Sequence, residues 1–386
     1  MKTVLVCGCD GYIGFALTLR LLNLGYSVIG VDNLSRRENV IKMNSFSATP
    51  IKDMIERDKI LSEKSHFDMN YYDIAFSPDS VNKLFKINKP DVVVNLAQQP
   101  SAPFSHRSHE DASWTTTNNL IGTLNVLYAM KEHTPDAHLI QIGSMGEYQI
   151  DIGTDIGEGI FEFEYNGKKS KPSIFPRRPG SYYHASKVAS TYYIDCACRF
   201  WGLKATDIMQ GVVYGNYTPE IRQWNLHTRG DSDECFGTIV NRFIIQAIIG
   251  HPLTVYGKGL HKRGFLALND SIQCLMIAIN NPPEEGQYQT WNQLDEVFSM
   301  NEIADKVIVS FKKFGYDVEK MYIKSPRTEC IDDHYYNPIT DKLTNLGFRQ
   351  TRTIEDEVEF LIETLLPYKE RLAGLKDVVI PKILWR

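Results

Sequence analysis

Three features of this 386-residue chain predict an α/β fold with a parallel central sheet. Apolar strand patterns alternate with amphipathic helix patterns through the first half of the chain. A glycine-rich turn, Gly8-Cys9-Asp10-Gly11-Tyr12-Ile13-Gly14, joins the first strand pattern to the first helix pattern. The segment Asp91-Val92-Val93-Val94-Asn95-Leu96 is apolar without alternation, as a strand covered on both faces must be. Together they predict a doubly wound, Rossmann-type sheet followed by a smaller α/β C-terminal domain.

The elements follow in order. Val4-Leu5-Val6 makes the first strand, and Val28-Ile29-Gly30-Val31 makes the second, closed by Asp32. Between them Ile13, Leu17, Leu21 and Leu24 fall on one helical stripe that Gly25 ends. Thr49-Pro50 opens a predicted helix through Lys59, residues 118–132 a long one, and Leu139-Ile140-Gln141-Ile142 is the next strand. Between 151 and 180 the rhythm breaks. There Phe161, Phe163 and Tyr165 alternate with Glu162 and Glu164 before an Asn166-Gly167 turn, the pattern of an inserted hairpin. A helix over 181–200 and a strand from Thr206 to Val213 complete a first domain, assigned to 1–213. The remainder, 214–386, is assigned to a second, substrate-binding domain with interleaved boundaries. In it Ile354, Val358, Leu361, Ile362 and Leu365 form an amphipathic helix stopped by Pro367.

The glycine turn carries chemistry. Gly8, Gly11 and Gly14 tighten it, let backbone approach a pyrophosphate, and let helix pack on strand. The helix N-terminus then faces phosphate charge. Asp32 lies 18 residues past Gly14, where a carboxylate accepts bonds from an adenosine ribose and selects NAD over NADP. Tyr183 and Lys187 stand four apart on one helix face, the spacing at which an ammonium can stabilise a phenolate. Ser144 follows a strand, at the carboxyl end where parallel sheets bind ligands, and can share a substrate hydroxyl with Tyr183.

Composition sets the class. Hydrophobic residues make up 43% and charged residues 23%, as in globular proteins. A net charge of −5 argues against a nucleic-acid surface, leaving Arg36-Arg37 and Arg177-Arg178 as short anion-binding spots. No apolar run approaches the roughly 20 residues of a membrane span. The N-terminus runs straight into a strand, which predicts no signal peptide. The seven cysteines show no metal-ligand pattern; Cys196 and Cys198 would lie about 200° apart on a helix. Reduced thiols in a cytoplasmic protein without a metal site are expected.

On these residues the chain resembles the extended short-chain dehydrogenase/reductase family, whose members bind NAD and act on nucleotide sugars. Further runs are similar to the branch of that family that builds UDP-sulfoquinovose from UDP-glucose and sulfite. They include Gly122-Thr123-Leu124-Asn125-Val126-Leu127, Gly143-Ser144-Met145-Gly146-Glu147-Tyr148 and Tyr183-His184-Ala185-Ser186-Lys187. Gln210-Gly211-Val212-Val213-Tyr214-Gly215, Phe236-Gly237-Thr238, Asn241-Arg242-Phe243, the run from Gly250 to Gly259, and His334-Tyr335-Tyr336-Asn337 extend the likeness over nearly the whole chain.

The resemblance implies a stepwise reaction through a 4-keto-5,6-ene sugar. Ser144, Tyr183 and Lys187 would oxidise carbon 4, and His184 or Glu147 would handle the 5-proton and the 6-hydroxyl. Dehydratases of the family usually carry Asp-Glu after the serine or threonine; here Met145 and Gly146 stand there. The likeness places Tyr12 and Ile13 at the cofactor pyrophosphate, and Asp32, Asn33 and Arg36 at the adenosine ribose. Asp73 and Ile74 would flank adenine. Leu96, Gln98 and Asn119 would lie toward the ribose and nicotinamide, Lys187 would bond the nicotinamide ribose, and Val213 would pack near the carboxamide. For the substrate it implies Arg263 and Arg327 at the diphosphate, Asn241, Arg242, Thr254 and Tyr256 around uridine, and Gln210 at the sugar. It also implies a homodimer through the helices near 118–132 and 181–200. One departure is plain: Pro100 stands where the plant-type pattern has arginine, leaving His106 or Arg107 as substitutes. A UDP-sugar 4-epimerase or dehydratase shares the first step, and a non-catalytic NAD sensor shares the cofactor site.

Overall fold

The computed structural model describes residues 1–148, 151–325 and 334–383. In chain order the strands are β1 (Thr3–Cys7), β2 (Ser27–Asp32), β3 (Phe67–Tyr71), β4 (Val92–Asn95), β5 (His138–Ile142) and β6 (Lys204–Gln210). They continue with β7 (Val212–Tyr214), β8 (Leu253–Tyr256), β9 (Lys262–Ala267), β10 (Tyr288–Gln293), β11 (Glu296–Ser299) and β12 (Lys320–Ile323). The helices that position the site are α1 (Tyr12–Asn23), α2 (His109–His133), α3 (Tyr182–Trp201) and α4 (Ile239–Ile248). To these α5 (Leu268–Asn280) and α6 (Ile354–Leu365) are added from the C-terminal half.

A seven-stranded sheet runs in the order β10-β6-β5-β4-β1-β2-β3, every neighbouring pair parallel. Alternate residues of one strand enter two different cores. Val4, Val6, Val92 and Val94 join Leu17 and Leu21 of α1 on one face. Leu5, Cys7 and Val93 join Val126 and Leu127 of α2 on the other. This two-sided burial, about 1.5–3 kcal/mol for each large apolar side chain, is why these strands carry no polar alternation. The strand order reverses between β1 and β4, which opens a crevice at their carboxyl ends.

Four elements differ from the sequence expectation. The helix expected from Thr49-Pro50 begins at Met54, because Asp53 caps it by accepting from the Glu56 N–H. A short helix over Ser35–Lys42 precedes it. The helix expected at 118–132 starts at His109, capped by Ser108. The strand expected over 206–213 is cut at Gly211, where a Cβ would sit 2.7 Å from the Gly264 carbonyl oxygen. The chain bends there, so that β6 belongs to the large sheet and β7 pairs with β9 in a smaller one, β7-β9-β11. The segment 160–174 forms two short antiparallel ladders around the Asn166-Gly167 turn.

The C-terminal half does not stand apart from the first sheet. Its β10 returns to the edge of that sheet, with Ala205 to Gln210 aligned on Tyr288 to Gln293. A separate core gathers α4, α6 and β8, with Phe243, Val255, Val358 and Ile362 fully buried. Among the described residues no helix is long and apolar enough to cross a membrane.

Candidate active site

A cavity of about 470 Å³ opens over the carboxyl ends of β1, β4, β5 and β6. Its floor is the glycine turn. Gly8 has φ +84°, and a Cβ there would meet the Leu96 backbone at 2.7 Å. A Cβ on Gly14 would drive into the Gly8 backbone, so α1 can rise directly from the turn. The first turn of α1 carries no acidic residue, and its N-terminus is left to an anion. Beneath it Asp10, almost fully buried, accepts from Arg37 Nε (2.6 Å) and Arg57 Nη1 (2.7 Å).

Asp32 lies at the cavity wall, its two oxygens taken by the backbone N–H groups of Asp10 (2.9 Å) and Leu34 (2.8 Å). Burial, and then the charge of Asp10, push its carboxyl up to about 6. Asn33, Arg36, Ile74, Leu96, Gln98 and Val213 also line the cavity. The Arg36 guanidinium is held by Asp231 (2.8 Å) and stacks on Phe236. Asp73 and Asn119 do not line it. Asp73 binds the Ala75 and Phe76 N–H groups and Asn33 Nδ2, while Asn119 brackets the Gln99 backbone and Ser186 Oγ. Both act on the cavity through the wall they hold.

Ser144, Tyr183, His184 and Lys187 meet at the centre of the cavity. Ser144 follows β5, and the other three come from the first turns of α3, which Ser181 caps. Burial, then the negative charge of Glu147, raises the Tyr183 phenol, opposed by a hydrogen bond with Ser144. The Lys187 ammonium lies 5.7 Å from the Tyr183 ring centre and is bonded to Gln98 Oε1 and the Ile142 carbonyl. Burial lowers Lys187, against the attraction of Glu147 and Asp207. Lys187 alone therefore does not ionise the phenol.

Glu147 requires a correction. Its side chain is fully buried and lies behind the serine turn, outside the cavity lining. One oxygen accepts from the Ser144 N–H (2.8 Å) and the other from Arg177 Nη1 (2.7 Å). Met145 is buried in an apolar cluster with Tyr148 and Phe175, also outside the lining. A one-turn 3-10 helix over Met145–Glu147 buries both side chains away from the cavity lining. Arg177, expected as an anion spot, is instead the buried counter-ion of Glu147. Sequence spacing gives no sign of this, since 30 residues separate the pair.

On the far side Gln210, Arg242, Tyr256 and Arg263 line the cavity, joined by His261 and Met300, which the sequence did not flag. Arg242 is 4% exposed, and its Nε is buried without a hydrogen-bond partner. Asn241 and Thr254 lie outside the lining: Asn241 Oδ1 accepts from the Gly215 N–H, and Thr254 Oγ1 accepts from Gln246 Nε2. Arg327 lies outside the described residues. Pro100 lies on the wall, where it offers neither charge nor N–H. His106 and Arg107 are not part of the lining. His106 stacks on Tyr182, and Arg107 is paired with Asp111.

Comparison with known proteins agrees with this geometry. Residues 4–292 match the model of the NAD dependent epimerase/dehydratase family. The chain is 42% identical to a UDP-sulfoquinovose synthase of Sulfolobus acidocaldarius, covering 99% of this chain and 97% of that protein. It is 38% identical to the chloroplastic UDP-sulfoquinovose synthase of Spinacia oleracea, covering 100% of this chain and 79% of that one. The chain belongs to the UDP-sulfoquinovose synthases of the NAD dependent epimerase/dehydratase family. Its fold is shared with the UDP-glucuronic acid 4-epimerase of Bacillus cereus, solved with UDP-glucuronic acid and NAD. That match has a TM-score of 0.70 at 21% identity and covers 96% of this chain and 100% of that one. It is an NAD-dependent enzyme of the extended short-chain dehydrogenase/reductase type, and the cofactor fits the glycine cradle and the acid-free helix N-terminus.

Two outcomes are expected from this geometry. Arg177→Met leaves the Glu147 carboxylate buried without its counter-ion, so unfolding should be easier by about 3–5 kcal/mol, and adding Glu147→Gln should recover much of that. Chemical denaturation of the two variants measures it; a loss below about 1 kcal/mol would show that the pair holds no charge. The second outcome concerns pH. An ionised Asp32 accepts ribose hydroxyls better than a protonated one, so NAD affinity should fall as pH drops below about 6, approaching tenfold per unit. Calorimetric titration between about pH 5 and 8 tests it, with Asp32→Asn expected weak and flat; a flat wild-type curve would remove Asp32 from the contact.

Proposed function

We propose that this protein converts UDP-glucose and sulfite to UDP-sulfoquinovose and water through a 4-keto-5,6-ene sugar. The observation that supports this most strongly is the gathering of Ser144, Tyr183, His184 and Lys187 at one point of a cavity floored by the dinucleotide turn. Tyr12 and Ile13 hold the pyrophosphate, Asp32, Asn33 and Arg36 the adenosine ribose, and Ile74 the adenine. Lys187 bonds the nicotinamide ribose, with Leu96, Gln98 and Val213 beside it. Arg242, Tyr256 and Arg263 take the uridine diphosphate, and Gln210 the sugar.

When bound, NAD supplies a hydride acceptor at carbon 4 and later a hydride donor at the same carbon. Tyr183 accepts the proton of the 4-hydroxyl, with Ser144 holding that oxygen. The 4-ketone acidifies carbon 5. His184 removes the 5-proton and delivers a proton to the departing 6-hydroxyl, which leaves as water. Hydrogensulfite then adds, its sulfur bonding to carbon 6 and its proton passing through His184 to carbon 5, and Tyr183 returns its proton to the 4-oxygen as carbon 4 is reduced. With Glu147 outside the lining, His184, whose ring centre lies 4.7 Å from that of Tyr183, takes the chemistry at carbons 5 and 6. Met145 and Gly146 bring no carboxylate to the cavity, which sets the site apart from a dehydratase.

The protein acts as a homodimer in the cytoplasm. Exposed Ile121 and Tyr128 on α2, with Tyr192, Tyr193 and Phe200 on α3, form the apolar face suited to a second copy. All described cysteines are free thiols, which suits a reducing compartment. Light scattering should give twice the 44.1 kDa chain mass, and the mass of one chain would overturn the dimer.

The decisive measurement is mass spectrometry of the product from UDP-glucose with and without sulfite. A sulfonate in place of the 6-hydroxyl is expected with sulfite, reduced about 10²–10⁴-fold in Tyr183→Phe. UDP-galactose or a 6-deoxy-4-keto sugar from the wild-type protein would favour an epimerase or a dehydratase instead.

A further inference from the structure

We propose that Gly146 is a specificity-determining residue, because its missing side chain is the space that the His184 imidazole occupies. This rests on the reaction proposed above. A Cβ built on Gly146 would collide with His184 Nε2, and would lie 2.6 Å from Cδ2 and 2.7 Å from Cε1. The three nearest atoms all belong to that one ring. A side chain at 146 and an imidazole in this position therefore exclude each other. The backbone does not call for glycine here. Gly146 lies in the 3-10 turn Met145–Glu147 and is absent from the glycines with positive φ. Its N–H, which donates to Ser144 Oγ (3.1 Å), is retained by any residue except proline.

Ser181 is the matching positioning residue. As the cap of α3 its Oγ accepts the His184 backbone N–H (3.1 Å), and the same oxygen lies 2.8 Å from His184 Nδ1. A hydroxyl has two lone pairs. It can therefore accept Nδ1–H while also capping the helix, in the neutral ring and in the imidazolium alike. Nε2 is the nitrogen that lies over Gly146. Ser181 fixes the ring from one side and the bare Cα of Gly146 admits it from the other. The Tyr183 ring, with its centre 4.7 Å away, keeps the imidazole beside the group that works on carbon 4.

Gly146→Ala probes this effect, since the three atoms nearest the new methyl group all belong to the imidazole. In protein labelled with ¹³C-histidine, the His184 ring signal, assigned by its loss in His184→Ala, should shift in Gly146→Ala. Formation of the sulfonate should fall on the order of 10²-fold, while reduction of bound NAD by UDP-glucose changes by less than about threefold. In a His184→Ala background, Gly146→Ala should add no further loss. Ser181→Ala should shift the ring signal and impair the sulfonate step in the same way.

An unmoved ring signal, an equal loss in both steps, or a further loss in the His184→Ala background would each overturn the role of Gly146. If the wild-type protein forms no sulfonate, the reaction itself falls. The ring signal then decides alone whether Gly146 makes room for His184.

Discussion

Two buried carboxylates behind the serine turn are balanced by two cations, Arg177 beside them and Lys187 at the cavity wall, and the reaction centre stands on their balance. Glu147 and Asp207 are fully buried; Arg177 and Lys187 answer them. Burial raises both acids, as expected when charge leaves water, and the cations and hydrogen bonds offset only part of that. Asp207 takes hydrogen bonds from Thr191 (2.6 Å) and Tyr288 (2.9 Å), which ties α3, β6 and β10 into one unit. Such a cluster is a costly way to make a protein stable, since an apolar substitute often does as well. Its Arg177 even leaves Nε and Nη2 without hydrogen-bond partners. What it gives is direction: Glu147 takes the Ser144 N–H, and Ser144 is thereby aimed at Tyr183.

The same device appears under the cofactor. Asp10 is buried beneath the glycine turn and balanced by Arg37 and Arg57, and Arg57 in turn reaches the His227 carbonyl at 2.6 Å. Thr228 donates to the Tyr12 carbonyl at 2.7 Å. The turn that faces pyrophosphate is therefore anchored by residues more than 200 positions away, drawn from the second half of the chain. Both halves of the cavity rest on buried charge pairs, Glu147 with Arg177 and Asp10 with Arg37 and Arg57, that lie outside its lining.

Short-range chemistry was legible in the sequence, and long-range chemistry was not. Gly8, Gly11, Gly14 and Asp32 declare themselves because strand, turn and helix are neighbours in the chain. Tyr183 and Lys187 do so because helical spacing puts them on one face. By contrast β10 escaped notice: Tyr288-Gln289-Thr290-Trp291-Asn292-Gln293 is too polar to suggest a strand. Its polar groups are satisfied across the fold, Asn292 by the 156–157 backbone and Gln293 by Gln210. Glu147 was misplaced for a related reason. An acid three residues after Ser144 suggests a catalytic partner until Arg177, from the far end of the 151–180 segment, is seen to claim it. Gly146 was legible only as a departure from the Asp-Glu of dehydratases, because the ring that fills its space lies 38 positions on.

The protonation of Tyr183 links these observations to the order of events. Burial and the nearby Glu147 hold its proton, opposed by the hydrogen bond with Ser144, while the Lys187 ammonium is bonded to Gln98 and the Ile142 carbonyl. Oxidised nicotinamide carries a positive charge and the reduced form does not. A phenol that yields its proton beside the first therefore recovers its hold beside the second. In the proposed reaction a Tyr183 that has taken the proton of the 4-hydroxyl would keep it while bonds change at carbons 5 and 6, so those steps call for a separate base. That requirement falls, in the proposed reaction, on His184, which lies between Ser181 and Gly146. The proposed reaction thus divides two proton circuits between one phenol and one imidazole whose ring centres lie 4.7 Å apart.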